Sequence, residues 1–347
     1  MNLFSPLTLG DLALRNRIVM APMTRSRADA KGVPSPLAVE YYASRADAGL
    51  LITEGTAPSA MGLGYARTPG IYNDAQVAAW RAVTDAVHAK GAKIFMQLMH
   101  VGRIAHSANR TIADAPVAPS AIRAAGQMWT DTQGMQPNDM PRALETAEIP
   151  SVIAEFAAAT SNALKAGFDG VELHAASGYL PNQFLSSSAN QRTDVYGQSR
   201  IRFVVETLEA MVAAAWSSGK IGMKVSPGMK FNDIDDADPL PVYVELAKAI
   251  SPMKLAYLHV MRAGIGSEVA LRSAFTGPFL VGGGYLKAEA NAVLAAGVAD
   301  AIVFGVPYLA NADLVKRFET DAELNRPDQA TFYTPGAKGY TDYPTLG

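Results

Sequence analysis

Short runs of Val, Ile and Leu recur along this chain, and between most of them lie longer stretches whose apolar residues return every three or four positions. The runs that read as strands are Arg17 to Met23, Leu50 to Glu54, Lys93 to Leu98, Gly170 to His174, Ile221 to Ser226, Leu255 to Val260, Phe279 to Gly283 and Ala301 to Gly305. Helical spacing is clearest over Ala75 to Lys90, Ile149 to Ala166, Arg202 to Ser217, Pro241 to Ile250 and Lys287 to Ala296. Strand–helix alternation repeated eight times without a break in composition predicts an α/β protein whose parallel strands close into a (β/α)8 TIM barrel. An open, doubly wound sheet is the competing architecture. Against it, no GxGxxG turn follows the first strand, and Gly282-Gly283-Gly284 follows the seventh, where such barrels often hold phosphate.

Two segments stand outside the alternation. Phe4 to Asn16 alternates apolar and polar residues around Gly10-Asp11, which predicts a hairpin plugging the bottom of the barrel. The insert from about Ile104 to Thr146, after the third strand, is rich in Ala, Pro, Gly and Met and shows little periodicity. A connection that long usually has a task, and here it reads as a lid over the barrel mouth. The expectation is a single domain over residues 1–347.

Composition narrows the chemistry. The chain has 347 residues, 49% hydrophobic and 18% charged, enough apolar content for a large core. A net charge of -2 and the lack of any basic run leave no electrostatic case for a nucleic-acid partner. With no cysteine, disulfides, thiolate nucleophiles and cysteine-ligated metal centres are excluded. The start, Met1-Asn2-Leu3-Phe4-Ser5-Pro6, lacks a leader pattern and no apolar run is long enough to span a bilayer, so a cytoplasmic protein without a membrane partner is expected.

In a barrel of this type, side chains at the carboxyl ends of the strands carry the chemistry. Those ends hold Thr24 and Arg25, Glu54, Gln97 and His100, His174, Lys224 and Ser226, and glycines after the seventh and eighth strands. His174 is followed by Ser177 and Tyr179 across a turn that Gly178 permits, so an imidazole could hold a substrate oxygen while a phenol delivers a proton nearby. Both side chains could equally be packed, hydrogen-bonded core residues. A metal site is the weaker reading, because no HxH or HExxH spacing joins His100 to His174. The acidic run Asp233 to Asp238 reads as a solvated loop, and His259 as a satisfied core histidine. The mixture of hydroxyls, an amide, imidazoles, an ammonium and glycine nests suits a large heterocycle with a phosphate tail.

From Leu3-Phe4-Ser5-Pro6, through Arg17-Ile18-Val19-Met20-Ala21-Pro22-Met23-Thr24-Arg25, to Gly339-Tyr340-Thr341-Asp342-Tyr343-Pro344, the chain resembles the Old Yellow Enzyme family of flavin-dependent ene-reductases. It looks most like the bacterial branch that includes N-ethylmaleimide and nitrate-ester reductases. The resemblance implies FMN at the strand carboxyl ends and NADPH or NADH as reductant. It places Pro22, Met23 and Thr24 along the flavin, Gly55 and Gln97 on its second- and third-strand side, and Lys224 near N1 and O2. Gly283, Gly284 and Gly305 would meet the phosphate, and Tyr65 and Met99 would line the substrate side. His174 and Ser177 would hold the oxygen of an α,β-unsaturated carbonyl, nitroalkene or maleimide, and Tyr179 would protonate the carbon opposite the hydride. Nitrate esters are a further implied substrate class.

Three positions depart from the family pattern. Ser177 stands where Asn or His is usual, Lys224 replaces an arginine and loses its planar fork, and Val306 stands where an arginine usually grips the phosphate. The stretch Tyr196 to Arg202 looks about three residues short, judged by spacing. These departures keep a second reading open: a flavin-poor barrel that binds a small molecule or catalyses a redox-neutral isomerisation with His174 and Tyr179.

Overall fold

The computed structural model describes residues 1–347. The chain opens with a hairpin of β1 (Leu7–Leu9) and β2 (Leu12–Leu14), paired antiparallel around Gly10-Asp11. Next come β3 (Ile18–Met20), β4 (Leu50–Ile52) and β5 (Ile94–Leu98). Four short strands then fall within the insert, β6 (Val117–Ala118), β7 (Gln127–Thr130), β8 (Gly134–Pro137) and β9 (Arg142–Ala143). Last are β10 (Gly170–Ala175), β11 (Ile221–Val225), β12 (Tyr257–Met261), β13 (Phe279–Gly282) and β14 (Ala301–Phe304). β3, β4, β5 and β10 to β14 are parallel neighbours, and β14 pairs back onto β3, Phe304 beside Met20. The sheet is closed, which disposes of the doubly wound alternative. No helix is long and apolar enough to cross a membrane.

Alternation along each strand divides the core in two. Outward residues such as Ile94, Met96 and Leu98 of β5 join the large cluster between barrel and helices. The inward set, Val19, Leu50, Ile52, Phe95, Tyr257, Leu280, Ala301 and Val303, fills the barrel, and Leu9 and Leu14 of the hairpin join it at the amino-terminal end. Gly222 is glycine for want of room: a Cβ there would run into the Tyr257 ring. Above this apolar layer the inward residues turn polar, and there the site lies.

The helices agree with the expected ones to within two residues at either end. The helix Asp74–His88 begins where the Asn73 side chain accepts the Gln76 N–H at 3.0 Å and ends shortly before Gly91, which has φ of 70°. The insert differs from expectation. Rather than an aperiodic stretch it contains the β7–β8 hairpin, with Met128 and Thr130 buried and Gln127 and Trp129 exposed. Those four residues do alternate, but the surrounding Pro, Gly and Ala hide so short a pattern. The tail is strapped to the first βα loop: Arg25 Nη2 donates to the Gly339 carbonyl at 2.6 Å, and Arg27 donates to those of Thr331, Phe332, Gly336 and Lys338.

Candidate active site

The polar layer is assembled by register. His174 of β10 pairs in register with Lys224 of β11, and Lys224 with His259 of β12. One layer below, the Glu172 carboxylate accepts from Gln97 Nε2 at 2.7 Å and stands 3.0 Å from His259 Nδ1. His259 is therefore only half satisfied, since its buried Nε2 has no hydrogen-bond partner. Lys224 is buried without any side-chain hydrogen bond; burial lowers its pKa, and the charge of Glu172 partly offsets that.

His174 Nδ1 accepts the Ala176 N–H at 3.3 Å, which leaves the ring proton on Nε2. Burial first, then Lys224 and His259, hold its pKa well below 6.5. At neutral pH it is an uncharged donor. The turn that follows needs φ of 56° at Ser177, a left-handed conformation uncommon for serine. Two bonds pin it there: the Ser177 N–H donates to Ser226 Oγ, and its carbonyl accepts from Asn232 Nδ2, both at 2.8 Å. The turn returns Tyr179 to the edge of the His174 ring, 4.8 Å between centroids at 83°. Tyr179 Oη donates to Tyr65 Oη at 3.2 Å. Burial and then Tyr65 raise the Tyr179 pKa well above 10, so the phenol keeps its proton across the neutral range.

The two phenol rings line a cavity of about 1040 Å³, walled also by Thr24, Trp129, Asn232 and Tyr333 among others. Met99 is 3% exposed and packs with Tyr179, Val101 and Met128 behind that wall. A Cβ on Gly55 would stand 2.5 Å from Met99 Sδ, so those two positions are packed together. Pro22, Met23 and Thr24 are half-buried where β3 leaves the barrel beside β14, and Met23 Sδ lies 3.7 Å from where a Cβ on Gly305 would be. Gly283 and Gly284 have φ of 117° and 82°, and no protein oxygen accepts the N–H of either glycine or of Gly305. Of the three, Gly283 lines a second groove, of about 560 Å³, and none lines the large cavity.

These groups fit a flavin nucleotide. A buried ammonium with no partner of its own suits a ring edge that gains negative charge on reduction, and three free backbone N–H groups suit a phosphate. Asn232 and Tyr333 escaped sequence reasoning. Asn232 adjoins the acidic run, in which Asp233, Asp235 and Asp238 are exposed as expected, whereas the Asp236 side chain is 6% exposed and accepts from the Ser187 N–H and Oγ. For Tyr333 the only local signal was the aromatic pair Phe332-Tyr333 in a polar tail.

A barrel with these groups at its carboxyl end defines a class, the flavin-dependent oxidoreductases. The chain belongs to the NADH:flavin oxidoreductase / NADH oxidase family, whose profile matches residues 2–325, and within it to the Old Yellow Enzymes. It is 41% identical over 360 residues to 12-oxophytodienoate reductase 1 of Oryza sativa subsp. japonica, covering 99% of this chain and 93% of that one. It is 41% identical over 356 residues to a probable flavin mononucleotide-dependent alkene reductase of Leishmania infantum, covering 99% and 97%. The structure of morphinone reductase in complex with tetrahydroNAD superposes with a TM-score of 0.96 at 42% identity, covering 100% of this chain and 98% of that one.

Proposed function

We propose that this chain is an FMN-dependent ene-reductase that takes electrons from NADPH or NADH and reduces activated carbon–carbon double bonds in unsaturated carbonyls, nitroalkenes or maleimides. FMN, when bound, supplies the hydride. The residues of the chain do the rest. His174 Nε2–H donates to the substrate's carbonyl or nitro oxygen, drawing electron density from the β-carbon, and the Ser177 hydroxyl is the second donor. Tyr179 Oη, 3.2 Å from Tyr65 Oη, turns its O–H from Tyr65 to the substrate and hands the proton to the α-carbon. Lys224 neutralises charge on the ring edge. The β7–β8 hairpin, through Met128 and Trp129, and the tail, through Tyr333, act as a lid that keeps water from the reacting carbons. The chain works as one barrel domain.

The observation that carries this reading is the edge-to-face pairing of a neutral, Nε2-protonated His174 with a protonated Tyr179 that lines a cavity of about 1040 Å³. An absorption spectrum of purified protein with added FMN tests it. Flavin bands that bleach with anaerobic NADPH and return with 2-cyclohexenone are expected. Protein that gains no bound-flavin bands in excess FMN would overturn the reading.

A further inference from the structure

The groove beside Gly283 is lined by a single basic side chain, Arg262, and its place is set by the backbone it crosses. Arg262 follows β12, and its N–H donates to the Gly282 carbonyl at 3.0 Å. The side chain then lies over the next residue: Cγ is 2.8 Å from where a Cβ on Gly283 would stand, so position 283 must be glycine for space as well as for its φ of 117°. Nε donates to the Gly283 carbonyl at 2.8 Å, and the guanidinium sits 3.9 Å from the centroid of the Tyr285 ring. Both contacts fix the plane of the fork beside Gly283, whose N–H is free. On the far side of β13, Val306 offers no charge.

We infer that Arg262 is the cationic anchor of the cofactor's phosphate in this chain. The inference rests on the flavin reading above and goes beyond it by assigning a residue. A dianion held only by backbone N–H groups lacks a counter-charge, and Arg262 is the one cation on that groove. Its present partner is one that phosphate has to displace. Nη1 and Nη2 lie 2.5 and 3.2 Å from the two oxygens of the Glu289 carboxylate, which is 44% exposed, and a phosphate dianion brings more charge to the same fork than a single carboxylate. Glu268, also on the groove, is the other competing carboxylate. With Nε on Gly283 and one face on Tyr285 the fork stays in place, and it is the exposed Glu289 side chain that swings into solvent and yields its position to phosphate.

Equilibrium titrations with FMN and with riboflavin, which lacks the phosphate, test this by flavin fluorescence. Arg262→Ala should weaken FMN about ten- to a hundredfold and leave riboflavin unchanged. Adding Val306→Arg to Arg262→Ala should recover FMN affinity from the opposite side of the nest. Unchanged FMN affinity in Arg262→Ala, or equal losses for FMN and riboflavin, would overturn the assignment while leaving the flavin reading intact. Wild-type protein that binds neither ligand would overturn both.

Discussion

Two adjacent strands of this barrel run on to a histidine, and the two rings have different fates. β5 runs on to His100 and β10 carries His174 near its end. Each ring accepts, on Nδ1, the backbone N–H two residues further along, at 3.1 and 3.3 Å, and each is buried. The difference is parity. On β10 the inward positions are Gly170, Glu172 and His174, so the ring enters the polar layer beside Lys224 and Tyr179. On β5 the inward positions are Phe95 and Gln97, so His100 falls on the outward side with Met96 and Leu98 and packs 6.4 Å from Phe156. Residue type and strand end nominate a chemical group, and the twofold period of the strand decides whether it faces the substrate.

The sharpest way to break the comparison is at the reacting end. Tyr179→Phe keeps the ring and its packing but removes the proton, so re-oxidation of the NADPH-reduced enzyme by 2-cyclohexenone should slow by about 10² to 10⁴ in stopped-flow traces. The half-reaction with NADPH should keep its rate. His174→Ala comes next: a donor aimed at a developing enolate is worth about 3 kcal/mol, roughly a hundredfold, in the same trace. If His100→Ala, in protein that still folds, caused a loss as large in that half-reaction, the parity argument would fail.

Parity also explains how much of the molecule was legible beforehand. The eight barrel strands were readable because a strand buried on both faces needs only an apolar run, which local composition displays. That His174 and Tyr179 meet was readable because both belong to one short turn. What closes over it was not. Asn232 and Tyr333 reach the cavity from a loop and a tail whose positions depend on Ser177, Arg25, Arg27 and Arg67, distant partners that no local pattern records. The partition between the large cavity and the groove at Gly283 was equally hidden, since it depends on where Arg262 lies.

Inward parity alone does not make a residue chemical; height in the barrel matters as well. Gly222 sits on the inward side of β11 directly below Lys224, but at the level of the Tyr257 ring. Gly222→Ala forces a methyl into that ring and should destabilise the fold by about 1 to 3 kcal/mol, read as a lower midpoint in urea. The folded fraction should still be reoxidised by 2-cyclohexenone at the wild-type rate. A slowed reaction with unchanged stability would mean that the apolar layer also positions the reacting groups.

The smallest effect distinguishes the two histidines by pH. Burial, then the charge of Arg110, lowers the His100 pKa from 6.5 to about 3. The folded state thus favours the neutral ring more than the unfolded chain does. The stabilisation from His100 is whole above pH 6.5 and shrinks as pH falls from there toward 3, by about 1.4 kcal/mol per pH unit. His100→Gln keeps an acceptor for the Gly102 N–H and cannot take up the proton. As pH falls from 6.5 to 5 the unfolding free energy of this variant should therefore fall less steeply than that of wild type, the difference growing from about half a proton to about one. The stopped-flow pH profile, governed by His174 and Tyr179 on the inward side, should be the same in both proteins. Parallel stability slopes would mean that His100 already reaches solvent in the folded protein, and the outward position would then be no more secluded than the inward one.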